Sequence, residues 1–151
     1  MNDIKQLETW ATGLLTQLAP KARRQLARTL ALTLRQRQQQ NIAAQRSPEG
    51  ESFTPRKAQV RSRLGRIKRR AALFPKIRLS KYLRTSASSE SAIVSFTHQV
   101  QRLAQVHHYG LRDKVNKHGL TVRYPSRPLL GLAKTDEALI SELVLEHLAR
   151  G

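Results

Sequence analysis

The sequence predicts an α+β fold: N-terminal helices and a C-terminal helix packed on a small, mainly antiparallel sheet, with a basic loop projecting from it. Three observations carry this expectation. Apolar residues recur at helical spacing up to about residue 46 and again at the C-terminal end. Between residues 82 and 124 the period shortens to that of strands. A run of bases with no acid separates the two regimes. The 151 residues suit one domain in three parts: a helical region 1–46, a basic loop or arm 47–79, and a sheet with the C-terminal helix 80–151.

Asn2 suits the cap of a first helix, and Ile4, Leu7, Ala11, Leu14, Leu15 and Leu18 form its apolar stripe beside Trp10. Pro20 ends that helix and suits the first position of the next. There Ala22, Leu26, Leu30 and Leu34 repeat every four residues, and no Gly or Pro interrupts the chain to Arg46. Ser47-Pro48-Glu49-Gly50 is turn chemistry. Residues 50–60 read as an extended loop anchored by Phe53. Tyr82 to Ala87 and Ala92 to Thr97 read as an antiparallel hairpin around Ser88-Ser89-Glu90-Ser91, with Ala92, Val94 and Phe96 on one inward face. Val100, Leu103, Ala104 and His107 return to helical spacing, ended by Gly110. Leu120 to Tyr124 is a third candidate strand. Thr135 is the expected cap of the last helix, whose stripe is Leu139, Ile140, Leu143, Val144 and Leu148.

Twenty-eight Lys and Arg oppose ten Asp and Glu, a net of +18. Residues 21–84 hold nineteen of the bases and two of the acids. Such a field calls for an anionic partner: nucleic acid, a membrane surface or an acidic protein face. The absence of cysteine excludes disulfides and thiolate metal sites. No run of eighteen apolar residues exists, and the basic segment lacks the large apolar residues that would enter lipid, so a membrane role is not expected. The N-terminus lacks the pattern of a signal peptide, and synthesis in the cytoplasm is expected.

Four stretches occur in a recognisable order: a long Gln- and Arg-rich helix, SPEGESFTPR (47–56), RLAQVHHYGL (102–111) and YPSRPLLGLAKTDEALI (124–140). Together they resemble the phage virion morphogenesis family, the tail completion proteins of temperate contractile-tailed phages. Glu49 stands where that family commonly has Asp, and His108 where it often has Gln. The resemblance implies a structural, non-enzymatic part of the tail end, without a cofactor. It would be made in the host cytoplasm and built into the virion neck as a homo-oligomeric ring, a hexamer to match the tail. Its partners would be tube, terminator or connector proteins, with non-specific contact to passing genomic DNA.

The candidate docking or DNA-facing bases are Arg56, Lys57, Arg61, Arg63, Arg66, Lys68, Arg69 and Arg70. They could meet phosphates, an acidic protein face, or stand as a solvated arm that orders on assembly. No aromatic residue interrupts 54–73, which disfavours base stacking on single strands. His107, Tyr109 and Gly110, with Pro125, Arg127, Pro128, Leu130 and Gly131, form the fold or assembly motif. His107 and His108 are adjacent and so point apart, and no HExxH spacing is present, so neither a metal nor a catalytic site is expected. His107 reads as a hydrogen-bonded core or interface histidine. Arg127 reads as holding backbone carbonyls or a carboxylate at a sharp turn, or as an assembly contact. The alternative function is a small basic, non-specific nucleic-acid-binding protein, on the strength of the charge alone.

Overall fold

The computed structural model describes residues 6, 9, 12–56 and 72–150. Among the described residues, helices and two small antiparallel sheets give an α+β fold. Helix α1 (Pro20–Ala43) opens on Pro20, whose missing N–H costs nothing in a first turn. Leu26, Ala27, Ala31, Gln38 and Ile42 are its buried residues. It ends three residues before the expected Arg46, in a Schellman arrangement. Arg46 N–H bonds Asn41 O at 2.9 Å, Gln45 N–H bonds Ile42 O at 3.0 Å, and Gln45 takes φ 59°. Ahead of α1, residues 12–15 are helical, with Leu14, Leu15 and Leu18 half-buried. Asn2, Ile4, Leu7, Trp10 and Ala11 lie outside the described residues.

Strands β1 (Leu83–Ala87) and β2 (Ala92–Phe96) form the expected hairpin. Its turn is tied by Ser88, whose Oγ accepts from the N–H groups of Glu90 and Ser91, both at 3.1 Å. Ala92, Val94 and Phe96 are half-buried while Ile93 and Ser95 are exposed, so one face does turn inward. Helix α2 (His98–Tyr109) buries Ala104 and Val106. Leu103, expected on its apolar face, is 47% exposed. Val100, Ala104 and His107, three or four residues apart, remain inward together with the buried Val106.

The second sheet pairs β3 (Arg112–Lys114) with β4 (Thr121–Arg123), in register Arg112 with Arg123, Asp113 with Val122 and Lys114 with Thr121. Only β4 was legible as a strand, because β3 is three charged residues without β-branched or aromatic side chains. Helix α3 (Lys134–Arg150) is not capped by Thr135, which lies inside it. Asp136 does the work instead. Its buried carboxylate accepts from Ala133 N–H at 2.9 Å, the backward half of a capping box.

By internal contacts the chain divides into two compact units. One, the helical unit, holds Met1–Gln36, Arg84–Ser95 and Leu132–Gly151; the other, the looped unit, holds Arg37–Leu83 and Phe96–Gly131. The looped unit has its own core of Ile42, Phe53, Ile77, Ala104 and Leu129, flanked by Leu73, Phe74, Phe96 and Val100. No described helix is long and apolar enough to cross a membrane.

Candidate functional site

The looped unit is poor in regular structure, so most of its backbone polar groups cannot be met by helix or strand ladders. Buried ones must find side chains. The three motif stretches supply them to one another. Arg127 is 5% exposed. Its Nε donates to Thr54 O at 2.8 Å and its Nη2 to Pro55 O at 3.3 Å. Its own N–H donates to His107 O at 2.8 Å. The 47–56 stretch, the end of α2 and the 124–131 stretch are thus clasped through one residue. Burial, with the charge of Arg56 second, lowers the Arg127 pKa, yet a guanidinium stays a cation.

The two histidines divide the remaining work. His108 Nδ1 accepts from Leu129 N–H at 3.0 Å, and its carbonyl accepts from Ser126 Oγ at 2.8 Å. A nitrogen that accepts must be unprotonated, so the neutral ring is the one that fits. Burial lowers its pKa in the same direction. The His107 ring lies 5.0 Å from Phe74 and 4.6 Å from Tyr124, and Phe53 meets Phe74 at 5.7 Å. Burial, then the Arg127 charge, lower the His107 pKa against a smaller upward pull from Asp113. Its Nδ1 is buried and has no hydrogen-bond partner among the described residues. The residue expected as a hydrogen-bonded core or interface histidine is half-buried, and rings, not polar partners, lie against the Nδ1 side of its imidazole.

Gly110 ends α2 at φ 68°. A Cβ there would stand 2.7 Å from Ser126 N and 3.0 Å from Tyr124 O, so the irregular 124–126 segment passes too close for any other residue. Gly131 meets Gln38, which donates to its carbonyl at 2.9 Å and accepts from its N–H at 3.4 Å. Pro125 and Leu130 are half-buried, Pro128 is exposed and Tyr109 is 66% exposed. Tyr109, Arg123, Pro125 and Ser126 line an open cavity of about 490 Å³.

Of the basic segment, Arg56 is described: its Nη2 donates to Ala72 O at 3.2 Å. Gln45 adds two bonds to Leu73, from Nε2 to its carbonyl at 2.9 Å and to Oε1 from its N–H at 2.6 Å. Arg56 is thereby tied to Ala72, and Leu73 to Gln45. Lys57, Arg61, Arg63, Arg66, Lys68, Arg69 and Arg70 lie outside the described residues. Among the described residues no cluster of three or more His, Cys, Asp or Glu could hold a metal ion.

Sequence reasoning missed Gln38, Gln45 and His108 as clamps. For Gln38 a signal existed. The four-residue repeat through Leu26, Leu30 and Leu34 reaches Gln38 before Ile42, and a polar residue on a buried stripe requires a partner.

What the three motif stretches assemble is a structural clasp of backbone and side-chain hydrogen bonds. The model of the phage virion morphogenesis family matches residues 2–149, and the chain belongs to that family. It is similar to tail completion protein S of Escherichia phage P2, with 41% identity over 152 residues, covering 99% of this chain and 100% of that protein. No solved structure matches the chain.

Proposed function

We propose that this chain completes the head-proximal end of a phage tail tube and makes it competent to join a DNA-filled head. It does so by docking, as a homo-oligomeric ring of six, and not by catalysis. It is made in the host cytoplasm and ends in the neck of the virion, against tube, terminator or connector proteins. The end-to-end match to a tail completion protein carries this reading. The clasp supports it, because the motif stretches that define the resemblance are the ones that hold the looped unit together. In this reading the chain is a single functional domain. The segment 56–70 is its working arm, held at a tied base and meeting phosphates of passing DNA or an acidic protein face.

Cryo-electron microscopy of purified tails and virions tests this. The expected result is a ring of this chain at the head-proximal tube end, with 56–70 turned toward the channel or a neighbouring protein. Tails that mature and join heads without any copy of the chain would sink the reading. The net charge of +18 favours one other reading, a monomeric non-specific DNA-binding protein. That reading requires salt-dependent duplex binding by the isolated monomer, with a steep linear fall of log K against log salt.

A further inference from the structure

Two charge arrangements each break the rule of their own element. In the β3–β4 hairpin Arg112 stands directly opposite Arg123, and Lys114 shares their face because alternate strand positions point the same way. All three are exposed. Like charges directly opposite destabilise a sheet. The hairpin's acid, Asp113, is on the other face and is taken by Arg102 at 3.1 Å. Neither outer edge of this two-stranded sheet pairs with a further described strand.

Helix α3 shows the mirror case. Glu142, Leu145 and Glu146 are exposed on one side of it. Glu142 and Glu146 are four residues apart, where like charges again destabilise. Elsewhere Glu90 is paired with Arg23, Asp113 with Arg102, and Asp136 is buried as a cap. None of Arg112, Lys114, Arg123, Glu142 and Glu146 forms an ion pair with a described residue.

We propose that the Arg112–Lys114–Arg123 face of the hairpin docks on the Glu142–Leu145–Glu146 face of α3 in a second copy of the chain. Spacing supports it: strand positions two apart are separated by about 6.8 Å, and helix positions four apart by about 6 Å. Each face relieves the self-repulsion of the other. The aliphatic stems of the bases would cover Leu145, which is 41% exposed. Duplex DNA would also neutralise the hairpin but would leave the glutamate pair unrelieved. Because different patches meet, the contact is heterologous, and repeating it closes a ring where the rotation allows. The inference rests on the ring proposed above and names its contact.

The test is sedimentation of the full chain and two double variants, R112E/R123E and E142K/E146K. Each variant alone sets like charge against like and should self-associate about ten- to a hundredfold more weakly than wild type. Mixed in equal amounts, both junctions are complementary again, and alternating assemblies should return. Unchanged melting temperatures show that the variants fold. The inference is overturned by variants that assemble like wild type, by a mixture that does not recover, or by a wild type that stays monomeric. Loss of duplex binding in R112E/R123E with self-association intact also overturns it and makes the hairpin a DNA face. Incorporation of wild type into tails is scored separately. Tails that take up wild type and both variants alike sink only this contact, whereas tails that never take up wild type sink the function itself.

Discussion

The two units are stabilised in different ways. In the helical unit the backbone meets its own hydrogen bonds within α1 and α3, and side chains need only bury apolar area. It tolerates a loose place: a cavity of about 290 Å³ lies among Leu15, Leu26, Ala27 and Leu30 and the Ser89–Ala92 turn. Its described ion pair, Arg23 with Glu90, is long at 3.7 Å, and Arg23 Nε is buried without a hydrogen-bond partner among the described residues. In the looped unit the stretches 47–56 and 124–131 lack regular structure beyond one isolated bridge, Arg46 with Ser52. Arg127, Gln38, Gln45 and His108 replace the missing ladders. A chain can thus be helical and forgiving in one part while being irregular and exacting in another, because what changes is who satisfies the backbone.

The largest effect should come from breaking the clasp. Arg127→Ala removes donors from two carbonyls and empties a buried site, at a cost of about 3 kcal/mol. Arg127→Lys keeps the charge but not the planar fork, so it should recover only part of that. Urea denaturation of both variants checks the ordering. A cost for the alanine variant below about 0.5 kcal/mol, the range of ordinary surface changes, would show that the clasp is not a stabilising device.

Next comes Gln38→Leu. Its volume suits a buried stripe, and by helix propensity it is neutral or better. It strands the N–H and carbonyl of Gly131, so a loss of about 2 kcal/mol is expected. The matching change in the helical unit, Ala27→Val beside the cavity, should stay within about 1 kcal/mol, since there is room for the added methyls. Equal costs at the two sites would erase the distinction between the units.

What was legible in the sequence follows the same division. Helices α1 and α3 and the β1–β2 hairpin announce themselves by period, turn residues and propensity, which are local properties. The clasp does not. Nothing near Arg127 in sequence says that its carbonyl partners are Thr54 and Pro55, seventy-odd positions away. The family resemblance marks that these stretches belong together, but only the structure shows that they bond. Asp136 was missed as the cap of α3 because Thr135 is as good a cap by residue type, and only the backbone path makes Ala133 the first residue to need one.

The acid range separates the units further. Both His107 and His108 have folded pKa values lowered from 6.5, by burial first. The unfolded chain then binds more protons, so stability rises with pH through this window. It is complete above about 6.5 and is lost as pH falls through the depressed folded values. His107→Phe should keep the ring stack and remove part of this dependence. His108→Phe should also flatten it, but with a loss at neutral pH, because Leu129 N–H loses its acceptor. Melting curves of each variant from pH 5 to pH 8, the span over which histidine charges, check the sign. A wild-type curve flat over that range would mean that the two rings titrate as they do in the unfolded chain.

The smallest expected effect is a gain. Arg112→Glu places an acid opposite Arg123 in the β3–β4 register and turns a repulsive cross-strand pair into an attractive one. The monomer should be more stable by about 0.2–1 kcal/mol, and less so as salt screens the pair. This is the one proposed change in the looped unit that should help folding, because it touches a place where the chain holds charge against its own stability. Assembly should move the other way, since the new acid would face Glu142 and Glu146 of the next copy. A variant that gains monomer stability while losing self-association would show that the hairpin's bases are kept for contact. A variant that loses monomer stability would mean that Arg112 already has a stabilising role within its own chain, and the like-charge reading of the hairpin would fail.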